Sequence, residues 1–268
     1  QFMLTGWSDE VNPIIPLLNQ YKIVTGNFSA GETAITKKSA YLFRTWPADR
    51  IAVQALVTYA KEKGYKKVAM VQSIGSWENT LVASFKELAT QQEIIVLDSV
   101  SFTSDTQDFK TIISKLKNEK ADALFAPITS GPVERFLRQQ GELGLGLPIL
   151  YPVDVTGIGV PEKVPPRFLK GLVFAIYAAS KEDFVNAYTK EYGIAPAVSS
   201  DTAYDAVYVL ANAIKAGNST DPDKVMSSIA GIDGASGKIS FDEYHDRVSA
   251  EVLLMGFDGK ITTPIRIK

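Results

Sequence analysis

The residues that perform covalent chemistry are scarce in this chain. Its 268 residues include no cysteine and one histidine, His245. A thiol nucleophile, a disulfide and a thiolate metal site are therefore excluded, and any serine–histidine mechanism would have to run through His245. That histidine lies in Phe241-Asp242-Glu243-Tyr244-His245-Asp246-Arg247, a polar run that reads as an exposed turn between two strands. Asp242, Glu243 and Asp246 lack the glycine and the closing glutamate of a calcium loop, so no metal site is expected. Gly141, Gly144 and Gly146 have nearly the spacing of a dinucleotide fingerprint, but they close a helical stretch and precede a strand. They read as a helix end. Neither a phosphate loop nor a Gly-x-Ser-x-Gly elbow occurs, and nothing in the chain calls for a cofactor.

What remains is the chemistry of holding a molecule. Trp7, Trp46 and Trp77 each fall near an expected strand end or helix start instead of on a helix's apolar stripe. In open α/β sheets ligands bind outside the carboxyl ends of the strands, where aromatic rings wall apolar pockets. Asn27-Phe28-Ser29 and Asn218-Ser219-Thr220 match glycosylation acceptors by pattern, which carries little weight in a chain of bacterial type.

The elements that must position these residues alternate along the chain. Short β-rich runs are expected at 22–25, 67–72, 94–99, 123–126, 149–151, 172–176 and 252–257. Between them lie amphipathic stretches. One at 47–63 places Ile51, Ala55, Leu56, Tyr59 and Ala60 on one face. Another at 108–118 places Phe109, Ile112, Ile113 and Leu116 so, with Thr106 or Ser104 as candidate caps. Gly64, Gly144 and Gly193 read as helix ends, and 155–170, rich in Gly and Pro, reads as a surface loop. Strands alternating with helices imply parallel sheets covered on both faces. At 46% hydrophobic and 22% charged residues the chain can bury a sizeable core. A net charge of −2, with Lys and Arg scattered, argues against nucleic acid or an anionic membrane as partner. No apolar run reaches the roughly 20 residues of a membrane span, and no signal peptide precedes Gln1-Phe2-Met3-Leu4.

Read in order, several segments resemble the type I periplasmic solute-binding proteins of the leucine/isoleucine/valine group that serve ABC importers. They are Tyr41-Leu42-Phe43-Arg44-Thr45 with Pro47-Ala48-Asp49, then 66–72 with Gly75-Ser76-Trp77, then the run from Ser101 to Phe109. Phe136-Leu137-Arg138-Gln139 and Tyr204-Asp205-Ala206-Val207 follow. The resemblance implies an α/β fold of two Rossmann-like lobes, with parallel sheets flanked by helices and joined by three crossover strands. The first lobe would comprise 1–48 with 179–240 and the second 49–178 with 241–268. Family members carry further strand–helix units before the segment matching Leu4 to Ser8, so the first strands of lobe 1 are expected to be missing here.

For the site, the resemblance implies two lobes closing like a hinge on a small ligand. Ser8 matches a carboxylate-holding serine. Ser29, Ala30 and Gly31 match a second first-lobe loop, where Ser29 supplies the hydroxyl. Trp77 matches an aromatic cover from the second lobe, and Thr129 falls where some members carry a second tyrosine. Asp154 matches an acid that pairs with an ammonium, Trp7 and Trp46 would flank the pocket, and Asp49 would cap or brace the first crossover. The implied function is non-enzymatic capture of an amino acid, branched-chain or otherwise apolar or aromatic, for delivery to an ABC permease. Such a protein would be a periplasmic or lipid-anchored extracellular monomer. Alternatives are a binder of aromatic acids or amides, or a ligand-sensing domain of the same fold.

Overall fold

The structure is a computed structural model that describes residues 1–258 and 262–266. The chain forms two compact units, each assembled from separate stretches of sequence. Unit 1 comprises Gln1–Ala48 and Tyr177–Glu251, and unit 2 comprises Asp49–Ile176 and the residues from Val252 on. The chain thus passes between units at 48/49, 176/177 and 251/252.

In chain order, unit 1 opens with β1 (Phe2–Thr5), α1 (Ser8–Val11), α2 (Ile15–Tyr21), β2 (Val24–Asn27) and β3 (Leu42–Arg44). Unit 2 follows with α3 (Arg50–Glu62), β4 (Lys67–Ser73), α4 (Ser76–Gln91), β5 (Ile95–Phe102) and α5 (Lys110–Asn118). It continues with β6 (Ala123–Phe125), α6 (Pro132–Glu142), β7 (Ile149–Tyr151), α7 (Val160–Lys163) and β8 (Leu172–Tyr177). Unit 1 resumes with α8 (Glu182–Tyr192), α9 (Ser200–Gly217), α10 (Pro222–Ser227), β9 (Ile232–Gly234) and β10 (Gly237–Ile239). The last strands, β11 (Val252–Phe257) and β12 (Thr262–Ile265), belong to unit 2.

Unit 1 holds a parallel sheet of order β1-β2-β3 and the antiparallel hairpin of β9 with β10. Val24 and Phe43 pack beneath Ala206, Val209 and Ala213 of α9, with Val225 and Met226 of α10 closing the cluster. The hairpin is clamped to α9 by Asp205, which is fully buried. Its carboxylate accepts from the Ala235 and Ser236 amides at 2.6 and 2.8 Å and from the Ser236 hydroxyl at 2.6 Å. A carboxylate can be buried at such a place because three donors replace its water. Gly234 is required beside it, since a Cβ there would fall within the Asp205 carboxylate.

Unit 2 is a seven-stranded sheet of order β12-β11-β8-β7-β6-β4-β5, parallel from β8 through β7, β6 and β4 to β5. β4 is buried along Val68-Ala69-Met70-Val71, as a strand covered on both faces must be. Phe109 meets Phe102 and Phe136 edge-to-face, with centroids 4.8 and 5.6 Å away. Burying each such ring contributes about 1.5–3 kcal/mol.

Local signals explain most element ends. Gly64 and Gly144 are left-handed, and the next amides, of Tyr65 and Leu145, reach back to Ala60 and Gln140 at 3.0 Å. Gly193, also left-handed, ends α8. The α5 start differs from expectation. Neither Ser104 nor Thr106 caps it; the Asp108 carboxylate accepts from the Lys110 amide at 2.9 Å. The strand expected at 22–25 runs instead over Val24–Asn27, because Lys22, left-handed, closes α2.

One assignment is corrected. Residues 241–251, expected in the second lobe, pack in unit 1, as do Tyr177 and Ala178. Asp246 binds Arg44 through two hydrogen bonds, and Arg247 donates to the Thr45 carbonyl and to the Ser236 hydroxyl and carbonyl. His245, expected exposed, is half-buried, and that burial lowers its pKa from 6.5.

Candidate ligand site

Within unit 1 the loops that follow β1 and β2 are shaped by one side chain, Asn27, which is fully buried. Its Nδ2 donates to the Thr5 hydroxyl at 3.1 Å and the Gly6 carbonyl at 2.8 Å. Its Oδ1 accepts from the Ser29 and Ala30 amides at 3.3 and 2.8 Å. An amide is suited to this, since it presents two donors and an acceptor on one rigid plane. The Gly6 and Trp7 amides both reach the Glu10 carboxylate at 3.2 Å, turning the chain into α1.

Ser8, the first residue of α1, is only 3% exposed, and its hydroxyl has no partner among the described residues. A buried polar group left unsatisfied costs about 1–3 kcal/mol, so an orphan hydroxyl marks a place where an outside group is expected. Ser29 is buried and its Oγ lies 2.8 Å from the Ser199 Oγ. Ser199 precedes α9 with φ of 69°, a left-handed conformation that an L-residue holds only when its surroundings compensate. The Thr202 hydroxyl donates to the nearer Phe28 carbonyl at 2.7 Å and lies 3.1 Å from that of Ser199, tying the two loops together. The amino end of an 18-residue helix is thereby fixed against Ser29, and such an end favours anions. Ala30 is fully buried, and its carbonyl accepts from Arg44. Trp7 is 60% exposed. Trp46 stands edge-to-face on Tyr177 with centroids 5.2 Å apart.

Within unit 2 the organiser is Ser73, at the end of β4. Its hydroxyl donates to Glu78 of α4 at 2.6 Å and accepts from the Thr129 amide at 3.0 Å; the Thr129 hydroxyl is 3.3 Å away. The loop carrying Thr129 is further anchored by Tyr151, whose hydroxyl donates to the Ile128 carbonyl at 2.5 Å. Complete burial raises the Tyr151 pKa and keeps it a donor. Trp77 donates its indole N–H to Asp49 at 2.6 Å, so Asp49 braces Trp77 and caps no helix with its side chain. Asp154 spends one carboxylate oxygen on the Thr156 amide and hydroxyl, at 2.8 and 2.6 Å, in a local turn. Its other oxygen has no partner among the described residues.

All eight expected residues therefore occupy equivalent places. Trp7 and Ser8 follow β1, Ser29 and Ala30 follow β2, and Trp46 follows β3; Trp77, Thr129 and Asp154 follow β4, β6 and β7. The pairings of these six strands are parallel, and each residue lies a few positions past a strand's carboxyl end. Sequence reasoning missed Asn27, Arg44, Ser73, Ser199 and Thr202. Asn27 carried a usable signal, because an asparagine at a strand end with Ser29, Ala30 and Gly31 close behind it is a turn signature. It was visible only as part of a glycosylation pattern. Among the described residues no group of three or more His, Cys, Asp or Glu is placed to hold a metal.

Two parallel-sheet units, three crossings and a row of residues at strand ends define the type I periplasmic binding protein fold. The chain belongs to the periplasmic binding protein family, whose model matches residues 1–260. It is 26% identical over 259 residues to the Leu/Ile/Val-binding protein homolog 6 of Brucella abortus, covering 90% of this chain and 65% of that protein. The homolog 8 of Brucella suis is 23% identical, covering 83% and 62%. The chain thus spans less than two thirds of the length of these curated relatives. Among solved structures, the leucine-binding protein LivK of Thermotoga maritima matches with a TM-score of 0.85 and 24% identity, over 98% of this chain and 78% of that one. A solute-binding protein of an R. palustris ABC transporter, in complex with benzoate, matches at 0.84 and 18%, over 98% and 76%. LivJ of Streptococcus pneumoniae, in complex with isoleucine, matches at 0.83 and 19%, over 98% and 79%.

Proposed function

We propose that this chain captures a small carboxylate-bearing solute, without chemistry, as the extracytoplasmic binding component of an ABC importer. The observation that carries the reading is the orphan hydroxyl of Ser8 in the loop after β1, next in the sheet to β2, whose following loop holds Ser29 against Ser199 and the α9 amino end. Hydroxyl donors and a helix amino end suit a carboxylate, and no side-chain cation is among these residues. Membership of a binding-protein family supports the non-enzymatic role, and the relatives named for Leu/Ile/Val binding support the transport role.

The ligand class turns on the other end of the molecule. Similar structures hold isoleucine in one case and benzoate in another, and both ligands bear a carboxylate. An amino acid also needs an acid for its ammonium, and the free oxygen of Asp154 is the candidate; an aromatic acid needs only apolar walls, for which Trp77 is the candidate. Since Asp154 offers that acid, an apolar amino acid is the preferred ligand. Calorimetry with leucine, isoleucine, phenylalanine, benzoate and 4-hydroxybenzoate tests this. Binding of an amino acid, lost in Asp154→Asn, supports the preferred class. Benzoate binding indifferent to that change moves the ligand to aromatic acids, and no binding by any of the five overturns solute capture of this kind.

A further inference from the structure

Unit 1 contains a cavity of about 330 Å³ to which Ser8, Ser29 and Ser199 do not contribute. Its size falls within the range of small-molecule sites. Trp46 and Pro47 line it from the first passage of the chain between units, Tyr177 from the second and Glu251 from the third. The half-buried rings of Trp46 and Tyr177 supply an apolar wall from two of these passages.

The charges around the cavity decide what it can hold. Arg247 is buried, and its N–H groups are directed to the carbonyls of Thr45, Ser236, Lys238 and Ser249 and to the Ser236 hydroxyl. It has no donor left for a ligand, and its charge is answered first by buried Asp205 and then by Asp201. Asp201 is aimed by the Ser180 hydroxyl at 2.8 Å and by the Thr202 amide at 2.7 Å, and it forms no ion pair among the described residues. Glu251 has no side-chain partner among them either. Against these two carboxylates stands, among the described residues, one further cation in the lining, the exposed Lys238. With Asp205 behind the lining, three carboxylates thus stand against two cations, and aromatic rings attract positive charge further.

We propose that this cavity is a second binding site, for a compact organic cation: an ammonium on a small apolar body, held by Asp201 and Glu251 against Trp46 and Tyr177. The assignment does not depend on the solute-capture reading: of the eight residues expected at that site it shares only Trp46, and its charged groups, Asp201 and Glu251, are not among them.

Benzylammonium is the probe, with benzyl alcohol and benzoate as neutral and anionic controls of like shape. Calorimetry should show one benzylammonium bound per chain, with benzyl alcohol and benzoate at least tenfold weaker. Asp201→Asn and Glu251→Gln should each weaken benzylammonium about tenfold, and Lys238→Ala should strengthen it severalfold. Fluorine NMR of protein labelled with 5-fluorotryptophan, its three signals assigned by Trp→Phe variants, should show the Trp46 signal moving while that of Trp77 stays. The proposal is overturned if benzylammonium does not bind, if benzyl alcohol binds as well, or if the Trp46 signal is unmoved. It is equally overturned if Glu251→Gln, an exposed change that leaves folding intact, and Asp201→Asn both leave the affinity within twofold. Loss of benzylammonium binding in Ser8→Ala would place the probe in the solute site and overturn it too.

Discussion

Arg44 grips Asp246 through two parallel hydrogen bonds of 2.7 and 2.6 Å, joining residues that lie 202 positions apart. Arg44 is fully buried, and one nitrogen of the same guanidinium donates to the Ala30 and Glu32 carbonyls at 2.8 and 2.7 Å. The pair therefore sets the loop after β2 as well as tying 241–247 to β3. Asp246→Asn leaves the guanidinium without its counter-charge, and breaking a buried pair from one side costs about 3–5 kcal/mol. Denaturant unfolding of this variant should show a loss of that size, and a loss below about 1 kcal/mol would show that the pair does not hold unit 1 together.

Ser8→Ala should separate stability from affinity. Removing a buried hydroxyl with no partner leaves the ligand-free protein as stable or up to about 1 kcal/mol more so. Solute affinity should fall about tenfold, the worth of one hydrogen bond to a charged group. Melting curves with and without solute test both signs at once. A destabilised free protein would mean that the hydroxyl has a structural partner.

Gly234→Ala drives a methyl group into the Asp205 carboxylate. The hairpin must then lift from α9, giving up the bonds from Ala235 and Ser236. Overpacking of this kind costs about 1–3 kcal/mol. Unchanged thermal stability would mean that the clamp does not hold the hairpin.

The pH dependence of stability should carry a contribution from His245. Burial disfavours its charged form, so its folded pKa lies below 6.5. In the window between the folded and unfolded values the unfolded chain binds more protons, so stability is lost as pH falls below 6.5. His245 has φ of 58°, a conformation that asparagine tolerates well. His245→Asn should therefore fold and show a shallower stability loss between pH 6.5 and 5 than the parent. Parallel profiles would remove His245 from the acid response.

The parts of this molecule legible in its sequence are those whose burial is continuous along the chain. β4 and β7 could be read almost residue by residue, because Val68 to Val71 and Ile149 to Tyr151 are apolar runs in a sheet covered on both faces. β3 is three residues long, and β9 and β10 are short and glycine-flanked, so no periodicity identifies them. Of the site, the residues after strand ends could be named from the family pattern. Those that orient them could not. Ser199 meets Ser29 across 170 positions and Ser73 meets Thr129 across 56, and such pairings exist only once the sheets have formed. The placement of 241–251 failed for the same reason, since the Arg44–Asp246 pair has no local trace.

The three passages between units also set an order of assembly. β1, β2 and β3 lie between Phe2 and Arg44, yet α9, which covers Val24 and Phe43, follows more than 150 residues later. On a ribosome, the early strands must wait, their apolar face uncovered, while most of unit 2 is synthesised. Unit 2 waits in turn for β11, which begins only at Val252. Neither unit can close until its second stretch of sequence has emerged, a regime of slow non-local pairing in which exposed strands invite aggregation.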